Sequence, residues 1–132
     1  MEGLPQPMQK YAFAINERAW DGNDCASAGA HWNPTHEDHG ETESGVGHVG
    51  DLLQLTSNLK GSVKYFEKAS RPMLSGIYSV VGKSVSVYEN SDDFGDSQTG
   101  SSLIDGNAGK ILGCCIIKKM PNLDDIDEFL NN

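Results

Sequence analysis

The sequence predicts an all-β protein in which about five strands are joined by turns and by two long loops. Its 132 residues suit one domain with one modest hydrophobic core. Hydrophobic residues make up 37% of the chain and charged residues 22%, a balance typical of a folded protein rather than a disordered one. Fifteen glycines and five prolines interrupt the chain often, as short strands joined by turns require.

Five segments carry the pattern of a strand. Residues 11–16 alternate large apolar side chains with small or polar ones, the period of two that a half-buried strand shows. The other segments are residues 52–56, 62–66, 83–89 and 111–117. The last one is an almost unbroken apolar run, so we expect a strand that is buried on both faces.

Two long segments lack periodicity and are rich in glycine and polar residues: residues 21–50 and 91–107. A loop of about 30 residues is longer than a compact domain usually contains, so the first segment needs a local organiser such as a metal ion. We divide the chain into a domain over residues 1–120 and an acidic tail over residues 121–132. The tail either forms one or two amphipathic turns or frays.

The net charge of −9 argues against nucleic acid and anionic membranes as partners. The chain has no run of about 18 apolar residues of the kind that spans a membrane. Its first residues lack the basic start and the apolar stretch of a signal peptide. We therefore expect a cytoplasmic protein.

The histidines are concentrated in the first long loop. All four of them, His31, His36, His39 and His48, lie there, and Asp51 follows closely. Zinc prefers four nitrogen, sulfur or carboxylate ligands in a tetrahedron, which such a cluster can supply. Metal binding would also provide the order that a polar loop lacks. The spacing alone leaves a second interpretation open, a loop of solvated histidines.

Several motifs resemble those of the copper/zinc superoxide dismutases. Residues 25–34, 39–40 and 48–52 resemble the zinc loop of that family, whose zinc ligands follow the order His-x7-His-x8-His-x2-Asp. Residues 82–95 and 106–114 are similar to the strand and loop that hold the last copper ligand and to the final strand. The residues that keep every zinc-ligand interval are His31, His39, His48 and Asp51. The resemblance implies a Greek-key β-barrel or sandwich.

The resemblance also assigns roles to single residues. His31 takes the position of the histidine that bridges zinc and copper, whereas the other three ligands would bind zinc alone. Asp92 falls on an aspartate that hydrogen-bonds a zinc-ligand histidine and orients it. His36 matches no ligand position, so we expect it to be solvated.

The chain has three cysteines, which allow at most one internal disulfide, and a cytoplasmic setting would normally keep them reduced. The resemblance implies that Cys25 and Cys114 form the disulfide that the family keeps even in the cytosol. Closing a loop of about 90 residues would stabilise the fold by roughly 4–5 kcal/mol in the entropic model. We expect Cys115 to be a small buried hydrophobic residue on the opposite face of its strand, and a reactive thiol is the alternative.

Three of the four copper-binding histidines of the family are replaced in this chain. The first strand of the family carries a His-x-His pair, where this chain has Ala14 and Asn16, and Tyr88 replaces the last copper histidine. Alanine offers no donor atom, and an amide oxygen is a poor ligand for a copper ion that changes oxidation state. A phenolate is costly at neutral pH. We therefore expect one zinc ion and no copper.

The features that attract superoxide are absent as well. Ile111 stands where the family has an arginine beside copper. The second long loop contains no lysine or arginine between Glu89 and Gly109. Its acidic residues are Asp92, Asp93, Asp96 and Asp105. A negative field repels an anionic substrate and slows its encounter with the site.

The barrel of the family has eight strands, and three of them precede the strand that carries the copper pair. This chain begins about ten residues before that strand, so we expect only about five of the eight. The apolar faces of residues 11–15 and 85–87 would then lack a facing layer. Either the chain is a piece of a longer protein, or another chain covers that face, a second copy or a related dismutase subunit.

These observations predict a zinc-binding relative of the dismutases without dismutase activity, which acts as a binding or structural module. The first alternative is an active dismutase with an unusual copper site made from His31, Tyr88 and His36. The second alternative is the dismutase-like domain of a copper chaperone, although the chain contains neither the Met-x-Cys-x-x-Cys motif nor the Cys-x-Cys motif of those chaperones.

Overall fold

Two small antiparallel sheets and very little helix make up the structure, which confirms the predicted all-β class. The computed structural model describes residues 1–41, 45–65 and 69–119. The strands are β1 (Lys10–Tyr11), β2 (Phe13–Asn16), β3 (Leu55–Thr56), β4 (Ser84–Tyr88) and β5 (Ile111–Ile116). The described part of each long loop contains one short helix, a 3-10 helix (Cys25–Ala28) in the first and α1 (Gly100–Asp105) in the second.

The larger sheet has the strand order β2-β4-β5, and β1 pairs with β3 in the smaller one. The predicted first strand is therefore shared between two sheets, and the change of partner occurs at Ala12. The N–H of Ala12 donates to the carbonyl of Asn90, and its own carbonyl accepts from Tyr88. Alternation then puts Ala14, Asn16 and Ser86 on one face of the larger sheet.

The opposite face of the larger sheet is covered more completely than the sequence led us to expect. Tyr11 and Val87 pack with Leu55 and Val63 in one buried cluster. Ile15 packs in a second cluster, whose other buried members are Trp32, Val49 and Val80. The expectation that this face lacks a facing layer is thus wrong for most of it, because the loops fold back over both ends of β2.

The strand predicted over residues 62–66 is wrong for its described part, residues 62–65, which belong to no named strand. Val63 instead exchanges backbone hydrogen bonds with Met1, at 2.9 and 3.0 Å. The N-H of Leu4 similarly donates to the carbonyl of Gly61. The first residues of the chain thus take the place of a strand partner. Phe66 lies outside the described residues.

β5 is less buried than its apolar sequence predicts. Leu112 is 42% exposed and Ile116 is 37% exposed, and the Cys115 side chain is also exposed. The reason is position, because β5 is the last strand of its sheet and only one of its edges pairs with a named strand. The predictions of a strand buried on both faces and of a buried Cys115 are therefore wrong.

The second long loop is organised by α1. The Thr99 side chain accepts a hydrogen bond from the N–H of Ser102 at the start of this helix, and Gly106 ends it with a φ of 66°. The predicted acidic tail lies outside the described residues. Within the described parts of the chain, no helix is long and apolar enough to cross a membrane.

Candidate metal centre

The first long loop is pinned to β2 by backbone hydrogen bonds. Ile15 donates to the carbonyl of Gly50 at 2.8 Å, and its carbonyl accepts from the N–H of Trp32, also at 2.8 Å. These bonds place His31 opposite Asn16 across an isolated bridge. Gly50 has to be small, because a Cβ atom there would lie 2.3 Å from the carbonyl oxygen of Ile15. The loop is therefore held along the edge of the sheet, beside β2.

The four zinc-ligand candidates of the sequence come together at one buried point. One donor atom from each of His31, His39, His48 and Asp51 lies within 4.8 Å of the others. The Nδ1 atoms of the three histidines lie 2.9, 3.0 and 3.1 Å, in that order, from carboxylate oxygens of Asp51. Three imidazoles and one carboxylate, all buried, form a group that could hold a metal ion.

Burial and hydrogen bonding shift the pKa values of two members of this group. Burial opposes ionisation of Asp51, but hydrogen bonds from the three histidines hold the pKa of that carboxyl well below its usual range. Burial likewise lowers the pKa of His39, but its hydrogen bonds to Asp51 and Asp92 outweigh this and raise the pKa to about 10. The metal-free cluster thus holds a proton that a bound metal ion would displace.

Asp92 lies where the resemblance implied, on the outer side of a candidate ligand. Its Oδ1 is 2.7 Å from Nε2 of His39, so the Nδ1 side of that ring is left to face Asp51. The backbone N–H of His39 donates to the carbonyl of Leu103 in α1, at 2.8 Å. The second loop therefore orients a side chain of the first.

Gly106 lies directly beside Asp92 and His39, a placement that the sequence did not reveal. A Cβ atom there would lie 1.9 Å from Oδ1 of Asp92 and 2.6 Å from Nε2 of His39. Its φ of 66° also favours glycine. The sequence shows only a glycine directly after Asp105, which is typical of a helix end. It does not reveal that the absence of a side chain leaves room for Asp92 and His39.

The positions that hold copper in the resembled family contain a different arrangement. The Nδ2 of Asn16 donates to the hydroxyl of Tyr88 at 2.8 Å and to the carbonyl of Gly29 at 2.9 Å. Burial raises the pKa of Tyr88 to about 12, although the Asn16 hydrogen bond opposes the shift, so the phenol is protonated at neutral pH. Ala14 is buried and packs with Tyr88.

Ile111 and His36 are two further residues that the sequence singled out. Ile111, at the arginine position of the family, packs against the cluster that contains Tyr88 and Ala14. His36 is exposed, and it lies outside the group of donor atoms formed by the described residues.

The disulfide implied by the resemblance is present. Cys25 and Cys114 are bonded, and the bond links the 3-10 helix of the first loop to β5 across 89 positions of sequence. The 3-10 helix ends at Ala28, and the next residue, Gly29, supplies the carbonyl that accepts from Asn16. A covalent link therefore anchors the loop just before His31.

Comparison with known proteins shows which family this chain resembles. A family model described as copper/zinc superoxide dismutase matches residues 1–117. The chain belongs to this family. It is 39% identical over 105 residues to an extracellular superoxide dismutase of Caenorhabditis elegans, and 36% identical over 112 residues to a superoxide dismutase of Paramecium bursaria Chlorella virus 1. A superoxide dismutase of Saccharomyces cerevisiae is 39% identical over 111 residues.

The chain represents only part of some of these dismutases. The matched regions cover 80%, 85% and 84% of this chain, in the same order, but 48%, 60% and 72% of the relatives. The chain thus spans about half the length of the nematode relative. Membership of the copper/zinc superoxide dismutase family fits the buried group of three histidines and one aspartate, which could hold a metal ion.

Proposed function

We propose that this chain is a zinc-binding member of the superoxide dismutase family that lacks dismutase activity and serves as a binding or structural module. The observation that carries the proposal is the contrast around His31. Two imidazoles and a carboxylate converge on its Nδ1 side. The opposite side has an amide, a protonated phenol and an alanine at the positions of the copper histidines.

The donor set favours zinc over copper. Zinc is bound by three imidazoles and one carboxylate in a closed tetrahedral site, and His31, His39, His48 and Asp51 are the residues that would hold it. Zinc would supply order to the loop but no electron transfer, because it has no redox chemistry. Redox copper in this family needs several imidazoles, and the residues Ala14, Asn16 and Tyr88 do not fit it.

The test is a metal analysis of the purified chain combined with a dismutase assay. We expect about one zinc per chain, no stoichiometric copper and no dismutation above that of the buffer, including after incubation with copper salt. A full equivalent of bound copper with cyanide-sensitive turnover would contradict the proposal and support the active-enzyme alternative. A chain that binds no metal would contradict the zinc site itself.

We further propose that another chain covers the remaining open part of the larger sheet, as a second copy or a related dismutase subunit. A cavity of about 480 Å³ lies there between residues 1–5 and the sheet, lined by Phe13, Val85 and Cys115 among others. Sedimentation of the zinc-loaded chain tests this proposal. We expect a dimer that Val85→Glu converts to a monomer, whereas a monomer at all concentrations would contradict self-association.

The cytoplasmic location expected from the sequence stays a proposal. Two of the relatives are named extracellular superoxide dismutases, those of Caenorhabditis elegans and Drosophila melanogaster. Fractionation of cells that express the tagged full-length product tests the location, and recovery of the protein from the medium would contradict it.

A further inference from the structure

The Nε2 side of His31 is closed by protein. The His31 side chain is 2% exposed, and its Nε2 is buried without a hydrogen-bond partner among the described residues. The ring of Tyr88 packs against it at an interplanar angle of 65°, with the ring centroids 5.3 Å apart. Tyr88 is itself only 5% exposed. Both rings line one cavity of about 500 Å³, but the Nε2 atom itself is buried beside the Tyr88 ring.

Asn16 fixes Tyr88 in this position and connects three parts of the fold. Its Nδ2 donates to the Tyr88 hydroxyl on β4 and to the Gly29 carbonyl in the first loop, at 2.8 and 2.9 Å. Asn16 itself belongs to β2 and is fully buried. One amide thus ties two strands to the loop, two residues before His31.

The imidazoles that the structure places against His31 are those of His39 and His48, which belong to the candidate zinc group. On the Tyr88 side, Asn16 and Ser86 offer a neutral amide oxygen and a hydroxyl oxygen, which are poor ligands for copper. Tyr88 also packs with Ala12, Ala14 and Ala108, which are buried and supply no ligand atom. The Tyr88 hydroxyl is occupied as the acceptor of the Asn16 bond.

We propose that Asn16 and Tyr88 are positioning residues that keep His31 a ligand of one metal only. The Tyr88 ring closes Nε2 against solvent and against a second ion. One Asn16 bond holds the Tyr88 hydroxyl and the other holds the loop at Gly29, so that Nδ1 of His31 faces the zinc group. The inference rests on the proposed zinc site. A histidine that binds a metal through Nδ1 carries its remaining proton on Nε2, so that proton reports directly on the closure.

The closure is tested by nitrogen-15 NMR of the histidine rings in the zinc-loaded full chain with its disulfide intact. In the wild-type protein we expect a His31 Nε2–H signal that exchanges slowly with water. Tyr88→Ala should accelerate this exchange by at least about tenfold, while the ring signals of His39 and His48 stay in place. Tyr88→Phe keeps the ring and should keep the exchange slow. Tyr88→Leu replaces the alanine variant if that variant does not fold.

The role of the two Asn16 hydrogen bonds is tested by measuring zinc affinity in competition with a chelator. Asn16→Ala removes both bonds and should weaken zinc binding by about 10–100-fold, the range found for residues that orient metal ligands. Asn90→Ala is the matched control, because the Asn90 side chain bonds to the Asn107 carbonyl and should leave the affinity unchanged. Tyr88→Phe loses one of the two bonds and should fall between these values.

The outcomes separate this inference from the zinc proposal. One bound zinc with a His31 proton that exchanges as fast in the wild type as in Tyr88→Ala would overturn the closure and leave the zinc site intact. Equal zinc affinities for Asn16→Ala and Asn90→Ala would contradict the proposal that the Asn16 hydrogen bonds support zinc binding. A wild-type chain that binds no zinc would overturn the proposed function and this inference together.

Discussion

The two nitrogens of His31 face regions of opposite character. Around Nδ1, three donors of other residues converge, and Asp92 and α1 hold one of them in place. Around Nε2, the fold offers an aromatic ring, a buried amide and alanines. The first region is built mainly by the first long loop, whereas the second is built mainly by β2, β4 and Ala108, which follows the second long loop. The comparison teaches that one histidine can face converging ligand atoms on one side and ordinary packing on the other.

The largest effect we expect comes from the link that anchors the loop on the Nε2 side. The double change Cys25→Ser and Cys114→Ser should reduce the free energy of unfolding by about 4–5 kcal/mol in the entropic model, because it releases a loop of about 90 residues in the unfolded chain. Urea unfolding of the zinc-free protein measures the loss. Cys115→Ser keeps the disulfide and serves as the control, since Cys115 is exposed.

If the double variant matched the Cys115 control, the disulfide would not be what anchors this region, and Asn16 and Tyr88 would have to hold it alone. A loss near the expected value would show that the Nε2 side depends on a covalent bond where the Nδ1 side depends on a metal.

The next largest effect is expected when a ligand is removed from the Nδ1 side of His31. Asp51→Asn keeps the shape of the side chain but removes the charge that three histidines share. If about 10–16 kcal/mol of zinc binding is divided among four ligands, the loss is roughly 3–4 kcal/mol, or several hundredfold in the dissociation constant. Isothermal titration with a competing chelator measures it. The exposed Asp38, changed to asparagine, provides a control in the same loop.

Zinc affinity that survives Asp51→Asn would mean that the metal is held elsewhere. The two sides of His31 would then no longer differ as the geometry implies.

A smaller effect is expected from changes to Gly106 and Asp92, which position His39 on the Nδ1 side of His31. Gly106→Ala would bring a Cβ atom into Asp92 and His39, and Asp92→Asn would weaken the hydrogen bond that orients the His39 ring. We expect each change to weaken zinc binding by about 10–100-fold. Gly100→Ala is the matched control, because a Cβ atom at Gly100 meets nothing within 4 Å. Equal affinities for Gly106→Ala and Gly100→Ala would contradict the packing argument.

The sequence predicted the parts of this molecule that depend on spacing. The four ligand candidates and the cysteine pair follow from intervals that a family resemblance can supply. It failed where burial depends on which elements become neighbours. The apolar run of β5 is half exposed because it lies at a sheet edge, and Val63 pairs with Met1 rather than with a strand. No periodic pattern encodes either fact.

The hydrogen bond between Asn16 and Tyr88 could not be predicted from the sequence, for a related reason. In the sequence, Asn16 and Tyr88 are recognisable only as residues at copper-ligand positions of the family. Their contact spans 72 positions and depends on β2 and β4 being adjacent in the sheet. What the two side chains do for one another depends on the fold, which alone places them together.

The smallest effect we expect is a pH dependence in the loop that supports Asp92. Slight burial opposes ionisation of Asp93, but hydrogen bonds from Ser97, Ser102 and Asn107 outweigh it and lower the pKa to about 2. A lowered carboxyl pKa stabilises the fold fully above the unfolded value of 3.8, and this contribution disappears as the pH falls through about 2.

Asp93→Asn should therefore cost about 0–1 kcal/mol at pH 6, as expected for a largely solvated group, and nothing near pH 2. Urea unfolding of the zinc-free chain from pH 6 to pH 2 measures the difference between variant and wild type, with Asp96→Asn as the control in the same loop. A difference that stays constant over this range would show that the Asp93 charge does not support the loop. The ordering behind Asp92 would then come from α1 and Gly106 alone.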